Sequence, residues 1–208
     1  SWKRAIVLSQ LSKATEAKVT DNDYLAILAS EYNCEAHDYD SAYYSLKATY
    51  NYIKNPYGAH GYRHWDDRSH KRGWEIETIG TYKGRSHVFV GTYYWVELSQ
   101  DVHVQTLSHK NGTASAYVAG RWDCGGKGEI RAQVFVGEHS VGEYTTKVFE
   151  TSGERTDGGL GCIWIKKSVS FPVPEGTTRI RVIIRSRDEK VWAGNYGCRF
   201  GYTSLQIA

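Results

Sequence analysis

The sequence predicts a mainly β protein: an antiparallel, jelly-roll-like β-sandwich with a helical N-terminal extension. Three observations carry this. After Asn55 the hydrophobic period is two, in about nine short runs of β-formers bounded by Gly, Asn and Asp. No stretch of helical spacing interrupts those runs, which favours an antiparallel sandwich over a parallel α/β sheet. And 16 Tyr, 7 Trp and 21 Gly stand against 3 Pro and no Met, a composition that suits aromatic strands joined by tight turns.

The opening "WKRAIVLSQLSKA" suits a first helix. "TDNDYLAILASEY" offers Thr20 as a cap with Asp23 three residues on, then Tyr24, Leu25, Leu28 and Tyr32 at helical spacing. "DYDSAYYSLKATYNYIKNP" repeats the pattern, with Asp38 or Asp40 as the cap, Tyr43, Leu46, Tyr50 and Ile53 on one face, and Pro56 as the stop. These helices would brace the strands beyond Pro56. Residues 1–54 are thus read as the extension and 55–208 as the sandwich. Its strands are expected in "WEIETI", "HVFVGTYYWVEL", "DVHVQTL", "ASAYVAGRW", "EIRAQVFV", "YTTKVFE", "CIWIKKSVSF", "TRIRVIIRSR" and "RFGYTSLQI". The Asn-Gly pair at Asn111 reads as a hairpin turn and, in "NGT", also as a glycosylation sequon.

Composition excludes several function classes. A net charge of +3 lacks the long-range pull of nucleic-acid binders. Arg179, Arg181, Arg185 and Arg187 alternate with Ile180, Val182 and Ile184, the pattern of a strand with one solvent face. No apolar run reaches the ~18 residues of a membrane span. Hydrolase elbow, P-loop, zincin and dinucleotide fingerprints are missing, so no enzyme and no cofactor is expected. His60, His64, His70 and His87 cluster in sequence with Asp66 and Asp67, but their setting is that of a solvated loop rather than a metal site. Cys34, Cys124, Cys162 and Cys198 have no metal-ligand spacing. They are read as reduced thiols of a cytoplasmic protein, with two disulfides of a secreted one as the alternative. The start at Ser1 and the sequon lean toward that alternative, a secreted defence or structural lectin.

The segment "EKVWAGNYGCRFGYTSLQI" sets a Trp and a Tyr in a glycine-rich loop ahead of a strand, the arrangement of a binding loop. Together with "NYIKNPYG", "GWEIE", "VFVGTYYWVELSQDVHV" and "YVAGRWDCGGKGEIRAQVFV", it resembles, in order and spacing, the F-box associated domain of the sugar-recognising F-box proteins and the nonspecific cytotoxic cell receptor group. The resemblance covers roughly residues 50–208. It implies a ten-stranded jelly-roll-like sandwich, one end of which grips the GlcNAc-GlcNAc core of N-linked glycans. The matching positions are Trp192 as stacking aromatic, Asp123 as hydroxyl-binding carboxylate and Asn55 in the opening loop, with Tyr196 as a neighbour. Trp192 also suits loop packing, and Asp123 also suits a turn. Where glycan-binding members carry an aromatic and a Lys around the Trp, this chain has Val191 and Ala193, one ring and one donor fewer. The implied partner is a glycan or glycoprotein. A sandwich that binds a polypeptide instead, as substrate adaptor of a ubiquitin ligase, is the other reading. No F-box pattern precedes Pro56, so ligase components enter only through residues outside this chain.

Overall fold

The computed structural model describes residues 18–20, 51–56, 58–69, 73–79, 86–121, 125–151, 155–156, 161–189 and 194–208. Among them every regular element is a strand: β1 Lys18–Thr20, β2 Asp66–Asp67, β3 Trp74–Ile79, β4 Ser86–Gly91, β5 Val96–His103, β6 Lys110–Ala119, β7 Gly126–Val136, β8 His139–Thr145, β9 Phe149–Glu150, β10 Arg155–Thr156, β11 Gly161–Val173, β12 Arg179–Asp188 and β13 Arg199–Ile207. They form two antiparallel sheets. The first has the order β1-β11-β6-β13-β4-β3 with β10 on β11, and the second β2-β5-β12-β7-β8 with β9 on β7. Successive strands cross between sheets at β4–β5, β5–β6, β6–β7, β11–β12 and β12–β13, the winding of a jelly roll.

Alternation explains which side chain goes where. In β12, Ile180, Val182 and Ile184 are fully buried between the sheets, while Arg179, Arg181 and Arg185 face outward. Phe89, Val118 and Phe200 lie side by side in paired strands β4, β6 and β13 and fill the core with Leu98, Ile130 and Trp74. At ~25 cal/mol per Å² of apolar surface, this shared interior is the main force holding the sheets together.

Several expectations are redrawn. Of the extension read as helical, Lys18–Thr20 form β1, paired with Ile163–Ile165 of β11; the rest of residues 1–50 lies outside the described residues. Residues 51–54 belong with the sandwich: Tyr52 N–H donates to Leu205 O, and Ile53 is fully buried in the core. "HVFVGTYYWVEL" is two strands, broken at Thr92–Trp95, and "DVHVQTL" is the end of β5 rather than a strand of its own. "YTTKVFE" splits at Lys147, whose φ of 62° lies in the left-handed region. Asn111–Gly112 is no turn. It runs inside β6, opposite Phe171 and Pro172, because the Phe171 ring occupies the space that a Cβ at residue 112 would need.

Candidate functional site

Strand direction brings three crossings to one end of the sandwich: Thr92–Trp95 between β4 and β5, Gly120–Gly125 between β6 and β7, and Glu189–Cys198 between β12 and β13. Backbone bonds lock them. Gly197 N–H donates to Gly91 O at 2.9 Å, Asp188 N–H to Thr92 O at 2.8 Å, and Thr92 N–H to Gly73 O at 3.0 Å. Gly197 has to be glycine, since a Cβ there would sit 2.5 Å from Ser186 Oγ and 2.8 Å from Gly91 O. The glycine-rich character of this loop thus has a packing cause: it lets the β12–β13 crossing lie directly on the end of β4.

Around this end stand aromatic and polar side chains. Tyr94 is 64% exposed and meets Tyr93 edge to face at 5.9 Å. The Arg121 guanidinium covers the Tyr196 ring at 4.1 Å, joining the β6–β7 and β12–β13 crossings. Asn195 Nδ2 donates to Glu75 Oε2 at 2.5 Å, and Arg199 Nε to Glu77 Oε2 at 2.6 Å, so two carboxylates of β3 hold the β12–β13 crossing and the first residue after it. Tyr62 donates its hydroxyl to Trp74 O at 2.7 Å. Partial burial, with Asp67 and Glu75 nearby, pushes its phenol above the usual range, so it stays a neutral donor.

The residues expected to bind fall differently. Tyr196 stands at this end, stacked under Arg121. Trp192 and Asp123 lie outside the described residues. Their crossings are nonetheless flanked by Gly194–Tyr196 and by Arg121 and Gly125, at the same end. Asn55 is not available to a ligand. It is fully buried, its Nδ2 donates to Gly61 O and Arg63 O, its Oδ1 accepts from His60 N–H, and its carbonyl accepts from Trp65 Nε1. With φ at 49°, it closes its own loop, a conformation Asn tolerates better than most residues. Sequence reasoning missed Tyr93, Tyr94, Arg121, Asn195 and Glu75. Tyr93 and Tyr94 read as strand, and Glu75 and Asn195 meet only through the fold.

No protein-family model and no curated protein matches the chain. Solved structures do. The enzymatically active domain of bacteriophage CBA120 tailspike protein 4 is similar at TM-score 0.51 and 9% identity, covering 76% of this chain and 21% of that one. The chain therefore spans about a fifth of the tailspike domain, and the likeness is one of fold. The TmCBM61 module in complex with β-1,4-galactotriose matches at TM-score 0.42 and 17% identity, covering 76% of this chain and 99% of that module. The CBM22-1 xylan-binding domain of Paenibacillus barcinonensis Xyn10C matches at 0.43 and 11%, covering 69% and 85%.

Among the described residues, no group of three His, Cys, Asp or Glu comes together to hold a metal ion. Cys198 is a free buried thiol, and the side chains of the other three cysteines lie outside the described residues. No described helix is long and apolar enough to cross a membrane.

Proposed function

We propose that the protein is a non-enzymatic, lectin-like recognition module whose loop end binds glycans of glycoproteins. The GlcNAc-GlcNAc core of N-linked glycans is the ligand implied by its resemblance to the F-box associated domain. One observation carries the reading. The crossings that hold Trp192 and Asp123 in sequence leave the same end of the sandwich, where the third crossing presents Tyr93 and the exposed Tyr94. A pyranose offers apolar C–H faces to an aromatic ring and hydroxyls to fixed polar partners once water is displaced. In this reading Trp192 stacks on the sugar, Asp123 accepts its hydroxyl hydrogens, and Tyr196, fixed by Arg121, forms the neighbouring wall. Asn55 keeps a loop-closing role. The ubiquitin-ligase setting belongs to the same proposal only as a partner reached through residues outside this chain.

The test is a glycan array with the wild type, Trp192→Ala and Asp123→Asn, each first checked for an unchanged thermal transition. Retention of N-glycans containing the chitobiose core by the wild type, and its loss in both folded variants, is the expected result. No glycan retained by the folded wild type overturns the proposal. Binding undiminished by both substitutions moves the site away from these crossings.

A further inference from the structure

The outer face of the first sheet, the face turned away from the core, is itself buried. Phe89, Val118 and Phe200 point inward, so their strand neighbours Val88, Val90, Tyr117, Ala119 and Arg199 point outward by alternation, as does Trp164 on β11. These are not solvated positions. Trp164 and Val88 are 0% exposed, Val90 and Ala119 1%, and Tyr117 3%. The two sheets spend their inner faces on each other, so this second apolar layer needs a cover from elsewhere in the chain.

We propose that the cover is the chain's own segment 21–50, and that this face is its internal docking surface. Two anchors fix where the segment starts and returns. β1 ends at Thr20, paired with Ile163 at the outer edge of β11. The chain reappears at Asn51, which donates through Nδ2 to Thr203 O, while Tyr52 N–H donates to Leu205 O on the far side of β13. Those anchors are roughly 19 Å apart, four strand spacings across the sheet. A chain that leaves the sheet at one anchor and rejoins it at the other passes over the outer face or around an end, and the burial of Trp164, Tyr117 and Val88 on that face selects the face. The segment has the side chains for it: Tyr24, Leu25, Leu28 and Tyr32, then Tyr43, Leu46 and Tyr50, form two apolar stripes at helical spacing. The Glu77–Arg199 pair lies on the same face, its Arg 8% exposed, directly after the loop that holds Tyr196. The docked segment therefore also backs the first residue of the strand after the candidate binding loop. This inference stands apart from what the loops bind.

Hydroxyl-radical footprinting of the full chain, read residue by residue by mass spectrometry, tests it. In the wild type, Trp164, Tyr117, Leu25, Leu28 and Leu46 should be oxidised as slowly as the core Trp65, and far more slowly than exposed Tyr94 and Leu107. In a Leu25→Asp/Leu28→Asp variant, oxidation of Trp164 and Tyr117 should rise toward the level of Tyr94 while Trp65 and Phe200 keep their protection. Two results overturn the proposal: Leu25, Leu28 and Leu46 as reactive as Leu107 in the wild type, or Trp164 equally protected in the variant. Should the double substitution unfold the sandwich, seen as oxidation of Phe200, the wild-type comparison decides, and Leu28→Ala repeats the second arm more gently.

Discussion

Replacing Glu129 should expose how much the outer face of the second sheet depends on one buried carboxylate. Glu129 is 6% exposed. Its oxygens accept from Arg131 Nη2 at 3.0 Å, from Thr145 Oγ1 at 2.7 Å and from Arg185 Nη1. A hydrogen bond to a charged group contributes ~1.5–3 kcal/mol net, and breaking a buried pair costs ~3–5 kcal/mol. Two facts lower that figure here. Arg185 keeps Glu97 at 2.6 Å, and Arg131, 28% exposed, can turn to Glu143 or to water. Glu129→Ala should therefore cost about 2–4 kcal/mol, and Glu129→Gln about half of that, since the amide oxygen still accepts one bond. For a chain of this size that is ~4–15 °C in Tm. The loss should depend on pH. Burial alone would push the Glu129 carboxyl up, but the bonds from Arg131, Thr145 and Arg185 outweigh it and hold the group below its ordinary range. A depressed carboxyl stabilises above its unfolded value of ~4.3 and loses that contribution as pH falls through the folded value. Urea melts followed by Trp fluorescence at pH 7 and at pH 3 give both numbers. A Glu129→Ala variant within ~0.5 kcal/mol of wild type at pH 7 would refute the reasoning, because so small a change is what a surface ion pair gives. So would a gap that does not narrow in acid.

Three further outcomes are expected. Asn55→Ala should lower stability by about 2–3 kcal/mol by orphaning Gly61 O, Arg63 O and His60 N–H and straining a left-handed residue. Asn55→Gly should recover only the backbone part, and neither should change glycan retention per folded molecule; a selective loss of retention would restore Asn55 to the site. Gly112→Ala would place a Cβ 2.4 Å from the Phe171 ring, so a thermal melt should show a loss of about 1–3 kcal/mol, smaller when Phe171→Leu makes room. Cys198 is fully buried, and desolvation pushes its thiol far above the ordinary value despite Thr151 and Arg199. Peptide mapping should find it unalkylated by iodoacetamide at pH 8 in the native chain and alkylated in urea; native labelling would place it in a different environment.

The parts of the fold legible in the sequence are those where burial imposes a local period. "WEIETI" and "TRIRVIIRSR" became strands because each places its Ile and Val on one side and its charges on the other. The breaks between strands were harder to read for a physical reason. Thr92–Trp95 are β-formers by composition, and they leave the strand because Asp188 N–H and the Gly73 carbonyl bind the two backbone groups of Thr92. Asn111–Gly112 reads as a turn, yet continues β6 because a ring on a strand distant in sequence fills the space over Gly112. The same distinction runs through the candidate site. A Trp and a Tyr between glycines marked the β12–β13 crossing from the sequence alone, because exposed aromatics in a tight loop have few other uses. What fixes that crossing did not show locally: Glu75 holds Asn195 from 120 residues away, Glu77 holds Arg199 from 122, and Arg121 lies over Tyr196 from the other side. Sequence spacing can nominate the residue that touches a ligand, but its supports are set by which strands pair. Substitutions at Glu75 and Arg121 should therefore weaken binding through the placement of Asn195 and Tyr196, lowering affinity without shifting which glycans are retained, whereas Trp192→Ala abolishes retention.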